Sequence, residues 1–157
     1  QAPAPQLYSI ETADTVLSVT GEVLERAYYF TLEDLQLLGG SFEADYFSRG
    51  KEPQEETNHF IGIRVDYLLD AVVGVGDSAR KVSFKSSDGY GAAFSLADVR
   101  STYINEKDAD AELYMILAWS QDGEELGALR LVMGQTIEGD YNRTNWVRDV
   151  MTIEVKA

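Results

Sequence analysis

The stretch from His59 to Tyr90 constrains the fold most, because it places a short helix directly before a buried strand. Apolar side chains recur there at helical spacing, which predicts a helix with one buried face. They are Val65, Leu68, Leu69 and Val72. Gly74 is expected to end this helix, since glycine adopts the left-handed backbone at little cost. Apolar and polar residues then alternate over 82–85, which predicts a half-buried strand before a turn at Asp88-Gly89.

The rest of the chain has the pattern of short strands joined by polar segments. Thr31 with Asp34, and Ser95, have the spacing of helix N-caps, and predict helices over 32–38 and 96–99. We expect Gly39-Gly40 to end the first of these. Strands are predicted at 16–23, 41–48, 82–85, 112–119, 124–126, 129–133 and 146–155, and residues 28–30 extend a second apolar patch. Long polar loops are expected at 49–58 and 135–145, and a polar connection at 103–111.

These elements predict one α+β domain, rich in β-strands, with a mixed or antiparallel sheet and three short helices. The domain is expected to span residues 11–157, after a proline-rich leader at 1–10. The leader has the composition of a linker left after a signal segment is removed, which predicts an exported protein, either free in the periplasm or outside the cell, or held by a lipid anchor. The alternative is a boundary inside a longer cytosolic chain. No apolar run approaches the ~20 residues of a membrane span, so no transmembrane segment is expected.

Charge and cysteine content exclude several classes of function. The formal net charge is −14, and binding to nucleic acid needs a basic surface, so nucleic acid is not expected as a partner. There is no cysteine, which removes disulfides, thiol nucleophiles, and zinc or iron–sulfur sites with thiolate ligands. Small anionic ligands stay open, because a few local arginines act within the Debye length of ~8 Å at physiological salt.

Several short motifs, in order, resemble the pterin-binding domain of the molybdopterin-dependent oxidoreductases of the sulfite oxidase type. The first are F-x-G at 60–62, Leu68-Leu69, S-x-D-G-Y at 86–90 and a short helix at 95–98. The last are L-R-L-V at 129–132 and a closing strand that begins with Trp146. The resemblance covers about residues 16–156. It implies that family's α+β fold and a cleft for molybdopterin or another pterin.

The chain departs from the family at the metal. In the sulfite oxidase type a cysteine thiolate ligates molybdenum, and soft metals of this kind favour thiolate ligands. This chain has no cysteine, so the resemblance does not carry thiolate-ligated molybdenum chemistry with it, and we lean towards a protein that is not an enzyme. Family members often place a basic residue directly before the tryptophan, whereas Asn145 stands here and Arg143 lies two residues earlier.

A ligand cleft is expected where the two long polar loops meet the Asp88-Gly89-Tyr90 turn. Arginine could hold an anion through its two-pronged guanidinium, tyrosine could stack on a flat ring, and histidine or asparagine could bond to ring edges. The predicted cofactor-binding residues are Tyr46, Arg49, His59, Asp88, Tyr90, Arg143 and Asn145. No catalytic residue and no metal ligand is predicted.

Three other motifs in the chain are weaker evidence for a functional site. His59 is the single histidine, but no G-x-S-x-G elbow accompanies it, so we interpret it as a structural or surface residue. The letters G-x-G-x-x-A at 74–79 follow a helix and precede a strand, the reverse of a dinucleotide-binding turn. The acidic run at 108–112 lacks the glycine and the distal glutamate of a calcium loop.

Three functions are therefore expected as alternatives. The first is a module that binds a pterin or another small, flat ligand without redox chemistry of its own. The second is a subunit of a molybdopterin-dependent oxidoreductase that uses a site without cysteine, together with a partner protein. The third is an acidic exported module that interacts with another protein.

Overall fold

The computed structural model describes residues 7–51 and 54–157, and strands predominate in them. Strand residues make up 52% and helical residues 16%, in three helices, which confirms the predicted strand-rich α+β class. No helix in these two ranges is long and apolar enough to cross a membrane. Residues 1–6 of the predicted leader lie outside the described ranges. Tyr8, which the sequence assigns to that leader, packs its ring on Phe30 at a centroid distance of 4.8 Å.

Four of the strands are nine or ten residues long, and the others are shorter. In chain order they are β1 (Thr15–Thr20), β2 (Tyr28–Thr31), β3 (Ser41–Arg49), β4 (Glu55–Arg64), β5 (Lys81–Ser86), β6 (Gly91–Ser95), β7 (Thr102–Asn105), β8 (Asp108–Tyr114), β9 (Ile116–Gln121), β10 (Glu124–Val132) and β11 (Val147–Lys156).

Nine of the described strands form one sheet, and β7 and β8 form a separate hairpin. The order in the large sheet runs β2-β1-β11-β10-β9-β4-β3, and β5 joins it by pairing with β11 and with β6. β1 is parallel to β11, with Ser18 opposite Thr152, while β11 is antiparallel to β10 and β5. The sheet is therefore mixed and mainly antiparallel, as predicted, and β11 connects its parts.

The helices begin where local capping signals predict them. In α1 (Leu32–Leu37) the Thr31 side chain accepts from Asp34 N, and the Asp34 side chain accepts from Thr31 N. In α3 (Leu96–Arg100) the Ser95 hydroxyl accepts from Asp98 N. Both N-cap predictions are confirmed because such bonds join residues three apart and need no distant partner.

The helix after β4 begins as α2 (Val65–Tyr67) and continues as a π-helix (Leu68–Val73). Its predicted apolar face is buried at Val65, Leu68 and Leu69, and Gly74 ends it with a left-handed φ of 72°. The first helix ends differently from the prediction. It stops at Leu37, and Leu38 is already extended, so Gly39-Gly40 is not its cap.

Two segments predicted to be loops are strands. Residues 55–58 of the expected loop 49–58 belong to β4, and Arg49 at the end of β3 pairs with Glu55. The expected polar connection 103–111 forms most of the β7–β8 hairpin, where Tyr103 pairs with Leu113. Both predictions were wrong because these segments are mostly polar and contain few buried residues. Their strand conformation depends on hydrogen bonds to a neighbouring strand, which the local sequence does not show.

The most apolar run, 112–119, is interrupted rather than being one strand. β8 ends at Tyr114, and Met115 separates it from β9. The carbonyl of Met115 accepts from Val65 N at 3.0 Å, so its backbone supports the start of α2. β9 still lies between β4 and β10, and residues 116–119 are buried, which agrees with the predicted central strand.

Candidate functional site

Three arginines, Arg130, Arg143 and Arg148, come together at one surface, which we call the arginine cleft. Arg130 projects from β10 between the buried Leu129 and Leu131, and Arg148 is the second residue of β11. Arg143 belongs to a 3-10 helix (Asn142–Asn145) that immediately precedes β11. The pairing of β10 with β11 therefore brings residues 18 positions apart in the chain into one cleft.

Arg130 is half-buried and only partly bonded. Its Nη1 donates to Gln121 Oε1 at 2.9 Å, and its guanidinium carbon lies 5.2 Å from the ring centroid of Trp146. Its Nε is buried and has no hydrogen-bond partner in the described structure. A buried donor without a partner is costly, and cation–π contact offsets only part of that cost.

The positive charge of Arg130 lies near those of Arg143 and Arg148. Burial and the neighbouring charges of Arg148 and Arg143 lower the pKa of Arg130 to about 10. The guanidinium therefore stays protonated at neutral pH. Among residues 7–51 and 54–157, no carboxylate forms an ion pair with Arg130 or Arg148.

Arg143 is the one arginine of the cleft with an ion pair in the described ranges. Its Nη1 donates to Glu56 Oε2 at 3.0 Å, across to β4. Asp149 follows Arg148 with a left-handed φ of 55°, and the register between β11 and β5 shifts between Val150 and Thr152. Such a bulge re-aims the side chains beside it, which here are those of the cleft.

Two grooves open on either side of these arginines. The first, which we call the Tyr90 groove, has a volume of about 350 Å³ and is lined by Ser86, Asp88, Tyr90, Arg130, Arg143, Trp146, Arg148 and Asp149. The second, the Gly127 groove, has a volume of about 300 Å³ and is lined by Gln121, Leu126, Gly127, Ala128, Arg130, Arg148 and Asp149.

The Tyr90 groove brings together three of the predicted site residues, Asp88, Tyr90 and Arg143. The side chain of Tyr90 is 58% exposed, which leaves its ring accessible. Asp88 is held within its own turn, where it accepts from the Ser86 hydroxyl and from Tyr90 N. These bonds lower the pKa of Asp88, the one from Ser86 most, so the carboxylate shapes the turn.

Tyr46 and His59 lie away from the cleft. Tyr46 is fully buried, and its hydroxyl donates to the Tyr114 carbonyl at 2.7 Å, so it offers no ring face to a ligand. His59 lies within β4 opposite Asp45, rather than at a strand start. Its Nε2 and Nδ1 face Glu43 and Asp45 at 2.6 and 2.7 Å. Successive side chains of a strand point to opposite faces of the sheet, so His59 and Phe60 lie on opposite faces. Arg130 lies against the ring of Phe60, and His59 therefore faces away from Arg130.

Arg49 serves another cluster, centred on the carboxylate of Glu106. Arg49 Nε and Nη2 donate to it at 3.2 and 3.0 Å, and Gln135 Nε2 and Gly139 N also donate. The pKa of Glu106 is lowered to about 2, mainly by Arg49 and then by Gln135. This cluster ties the end of β3 to the loop after β10, and we interpret it as structural.

Asn145 lines a separate cavity of about 330 Å³, together with Asp98, Tyr103 and Asp140. The seven predicted residues therefore lie in five different surroundings, and the structure brings only three of them, Asp88, Tyr90 and Arg143, together.

Arg130, Arg148 and Trp146 were missed as site residues. A weak signal existed for the first, because an arginine inside the apolar run at 129–133 needs a polar environment within a buried strand. No local signal distinguishes Arg148 from other exposed residues.

The described ranges contain no group of three or more histidine, cysteine, aspartate or glutamate side chains that could hold a metal ion. A comparison of the chain with protein-family models and with curated proteins found no match in either case.

Proposed function

We propose that this chain binds a small, flat, anionic ligand of the pterin type in the arginine cleft, without redox chemistry of its own. The observation that carries this proposal is the state of Arg130. It is charged, half-buried, free of an ion pair among the described residues, and has a buried Nε without a partner. An anion that accepts from Arg130 and Arg148 would provide the missing compensation.

The Tyr90 groove supports the flat part of the ligand. Its volume of about 350 Å³ is within the range of small-molecule sites, and the exposed ring of Tyr90 lies at its wall. Aromatic rings stack in offset or edge arrangements, and a planar heterocycle gains from either. We therefore expect the ring against Tyr90 and the anionic group against the arginines.

The residues of the cleft fit the pterin and its anionic group, but not a thiolate-ligated metal. Guanidinium and phenol groups suit an anion and a ring, whereas the chain offers no cysteine for a soft metal. The proposal therefore ends at binding, and a thiolate ligand for a metal would have to come from outside this chain.

The test compares two pterins that differ by one phosphate group, 6-hydroxymethylpterin and its monophosphate, by titration with pterin fluorescence as the signal. We expect the monophosphate to bind at least tenfold more tightly, since a hydrogen bond between charged groups contributes roughly 1.5–3 kcal/mol. The substitution Arg148→Gln should remove most of this advantage. Arg148 is exposed and forms no ion pair with the described residues, so the variant should fold.

Arg100→Gln is the matched control. Arg100, at the end of α3 and away from the cleft, pairs with Asp70 of the π-helix, and its loss changes the net charge equally. Equal affinity for the two pterins, or an equal loss in both variants, would refute the proposal.

A further inference from the structure

The two grooves share the same charged residues, which sets where the anionic group of a ligand lies. Arg130, Arg148 and Asp149 line both the Tyr90 groove and the Gly127 groove. An anion bound by Arg130 and Arg148 therefore lies at the junction of two cavities, rather than at the closed end of one. A ligand with a terminal phosphate would fill the first groove and leave the second to water.

The Gly127 groove arises from an irregularity in β10. The register between β10 and β9 shifts between Glu125 and Arg130, so four residues of β10, 126–129, lie opposite a single residue of β9. The extra residues bend the strand and open its surface. A Cβ added at Gly127 would meet no atom within 4 Å, so the groove is open at this point.

The charge at the junction suits a linking phosphate better than a terminal one. Asp149 brings a carboxylate to the same junction as Arg130 and Arg148. A terminal phosphate concentrates about −1.5 to −2 charges on one group beside Asp149 near neutral pH, whereas each phosphoryl group of a phosphodiester or pyrophosphate carries a single charge, so each can face one arginine with less repulsion from Asp149. The carboxylate and the Gln121 side chain can also accept or donate bonds to hydroxyl or amino groups of a second moiety.

From this geometry we infer that the ligand has two parts, a flat ring and a second polar moiety, joined by a phosphodiester or pyrophosphate. The ring occupies the Tyr90 groove, the linking phosphate contacts Arg130 and Arg148, and the second moiety occupies the Gly127 groove. This inference rests on the proposed function, because it takes the arginine cleft to be the anion site.

The test uses two flavins that differ in the position of the phosphate. Riboflavin 5′-phosphate ends in a phosphate, whereas flavin adenine dinucleotide has a central pyrophosphate and a second moiety, and both carry a ring that contains the pteridine skeleton. We expect isothermal titration calorimetry to show at least tenfold tighter binding of the dinucleotide. Gly127→Trp, which fills the second groove, should abolish this difference and leave binding of the mononucleotide unchanged.

Binding of the mononucleotide by Gly127→Trp is the internal control, because it reports that this variant is folded and that its Tyr90 groove is intact. Equal affinity for the two flavins, or an equal effect of Gly127→Trp on both, would overturn the two-part ligand. So would binding of 6-hydroxymethylpterin monophosphate without either flavin, which leaves the proposed function standing. No binding of any of the three phosphates would overturn both.

Discussion

Arg130 retains its charge in a half-buried position because its surroundings compensate it only in part. Gln121 accepts one hydrogen bond, and the rings of Trp146 and Phe60 lie 5.2 and 5.8 Å from its guanidinium carbon. Burial of a cation without a full set of partners is unfavourable, and the nearby charge of Arg148 adds to the cost. Such local strain in the charge distribution is typical of binding sites, which trade stability for affinity.

Glu106 contrasts with Arg130, because its buried carboxylate accepts hydrogen bonds from several partners. We expect Glu106→Gln to lower the free energy of unfolding at pH 7 by roughly 1.5–3 kcal/mol, because the charged bonds to Arg49 weaken. The folded pKa of about 2 lies below the usual 4.5, so this stabilisation is present above pH 4.5 and is lost as the pH falls towards about 2. Urea unfolding of the native chain and the variant at several pH values measures both effects.

Glu55→Gln is the control for this prediction. Glu55 also pairs with Arg49, but its side chain is 48% exposed, so its loss should cost less than about 1 kcal/mol. If the difference in the free energy of unfolding between the native chain and Glu106→Gln does not become smaller as the pH falls, the lowered pKa of Glu106 is contradicted.

His59 is predicted to titrate above its usual value of 6.5, because Glu43 and then Asp45 stabilise its charged form. Its contribution to stability is present below pH 6.5 and is lost as the pH rises through the raised pKa. Since it is the only histidine, NMR titration of its ring follows it directly. We expect Glu43→Gln to lower this pKa, and Glu33→Gln on α1 to leave it unchanged. An unshifted pKa of His59 in the native chain would contradict its ion pairs with Glu43 and Asp45.

At the scale of elements, irregular strands form the cleft. The shift in β10 opens the Gly127 groove, and the left-handed Asp149 in β11 turns Arg148 and its neighbours towards both grooves. Regular strands would alternate these side chains strictly between the two faces of the sheet. The cleft thus depends on two departures from regular pairing in neighbouring strands.

The pairing of β4 with β9 requires a glycine at position 62. A Cβ there would lie 2.2 Å from the Leu117 carbonyl oxygen, which is backbone and cannot rotate away. We expect Gly62→Ala to lower the free energy of unfolding by about 1–3 kcal/mol through overpacking, as thermal or urea unfolding would measure. Gly127→Ala, where the new methyl group meets nothing, should change it by less than about 0.5 kcal/mol. Equal stability of the two variants would contradict this close approach.

For the whole molecule, the cleft is a local basic site on an acidic protein. The net charge is −14, yet three arginines converge where few carboxylates pair with them. Salt should therefore act in opposite directions on folding and on binding. Screening weakens the repulsion among the acidic residues and also the attraction between arginines and anion.

We expect the melting temperature to rise between about 10 and 150 mM NaCl, where the Debye length falls from about 30 to 8 Å. Over the same range the affinity for 6-hydroxymethylpterin monophosphate should fall. Differential scanning fluorimetry and fluorescence titration in the same buffers measure the two trends. A fall in melting temperature with salt would show that ion pairs outweigh the net repulsion, and an unchanged affinity would remove the arginines from the site.

The sequence predicted best the features that depend on near neighbours. The caps at Thr31 and Ser95, the left-handed Gly74 and the turn at Asp88-Gly89 each need only residues a few positions away. It failed for the β7–β8 hairpin, since a polar strand is defined by its partner. Of the site, it found Tyr90 and Arg143 but placed Tyr46 in the cleft, although that side chain is in the core.

By itself, then, the sequence determined the strand-rich α+β class, the N-caps at Thr31 and Ser95, the helix end at Gly74, and the lack of thiolate chemistry, because these follow from local spacing and from composition. Only the tertiary structure decided which arginines form the cleft. Arg49 and Arg143 acquire carboxylate partners, whereas Arg130 and Arg148 have none among the described residues. Ion pairing depends on side chains that lie far apart in the chain and meet only through the pairing of strands, so no local pattern could show which of these four arginines acquires a carboxylate partner.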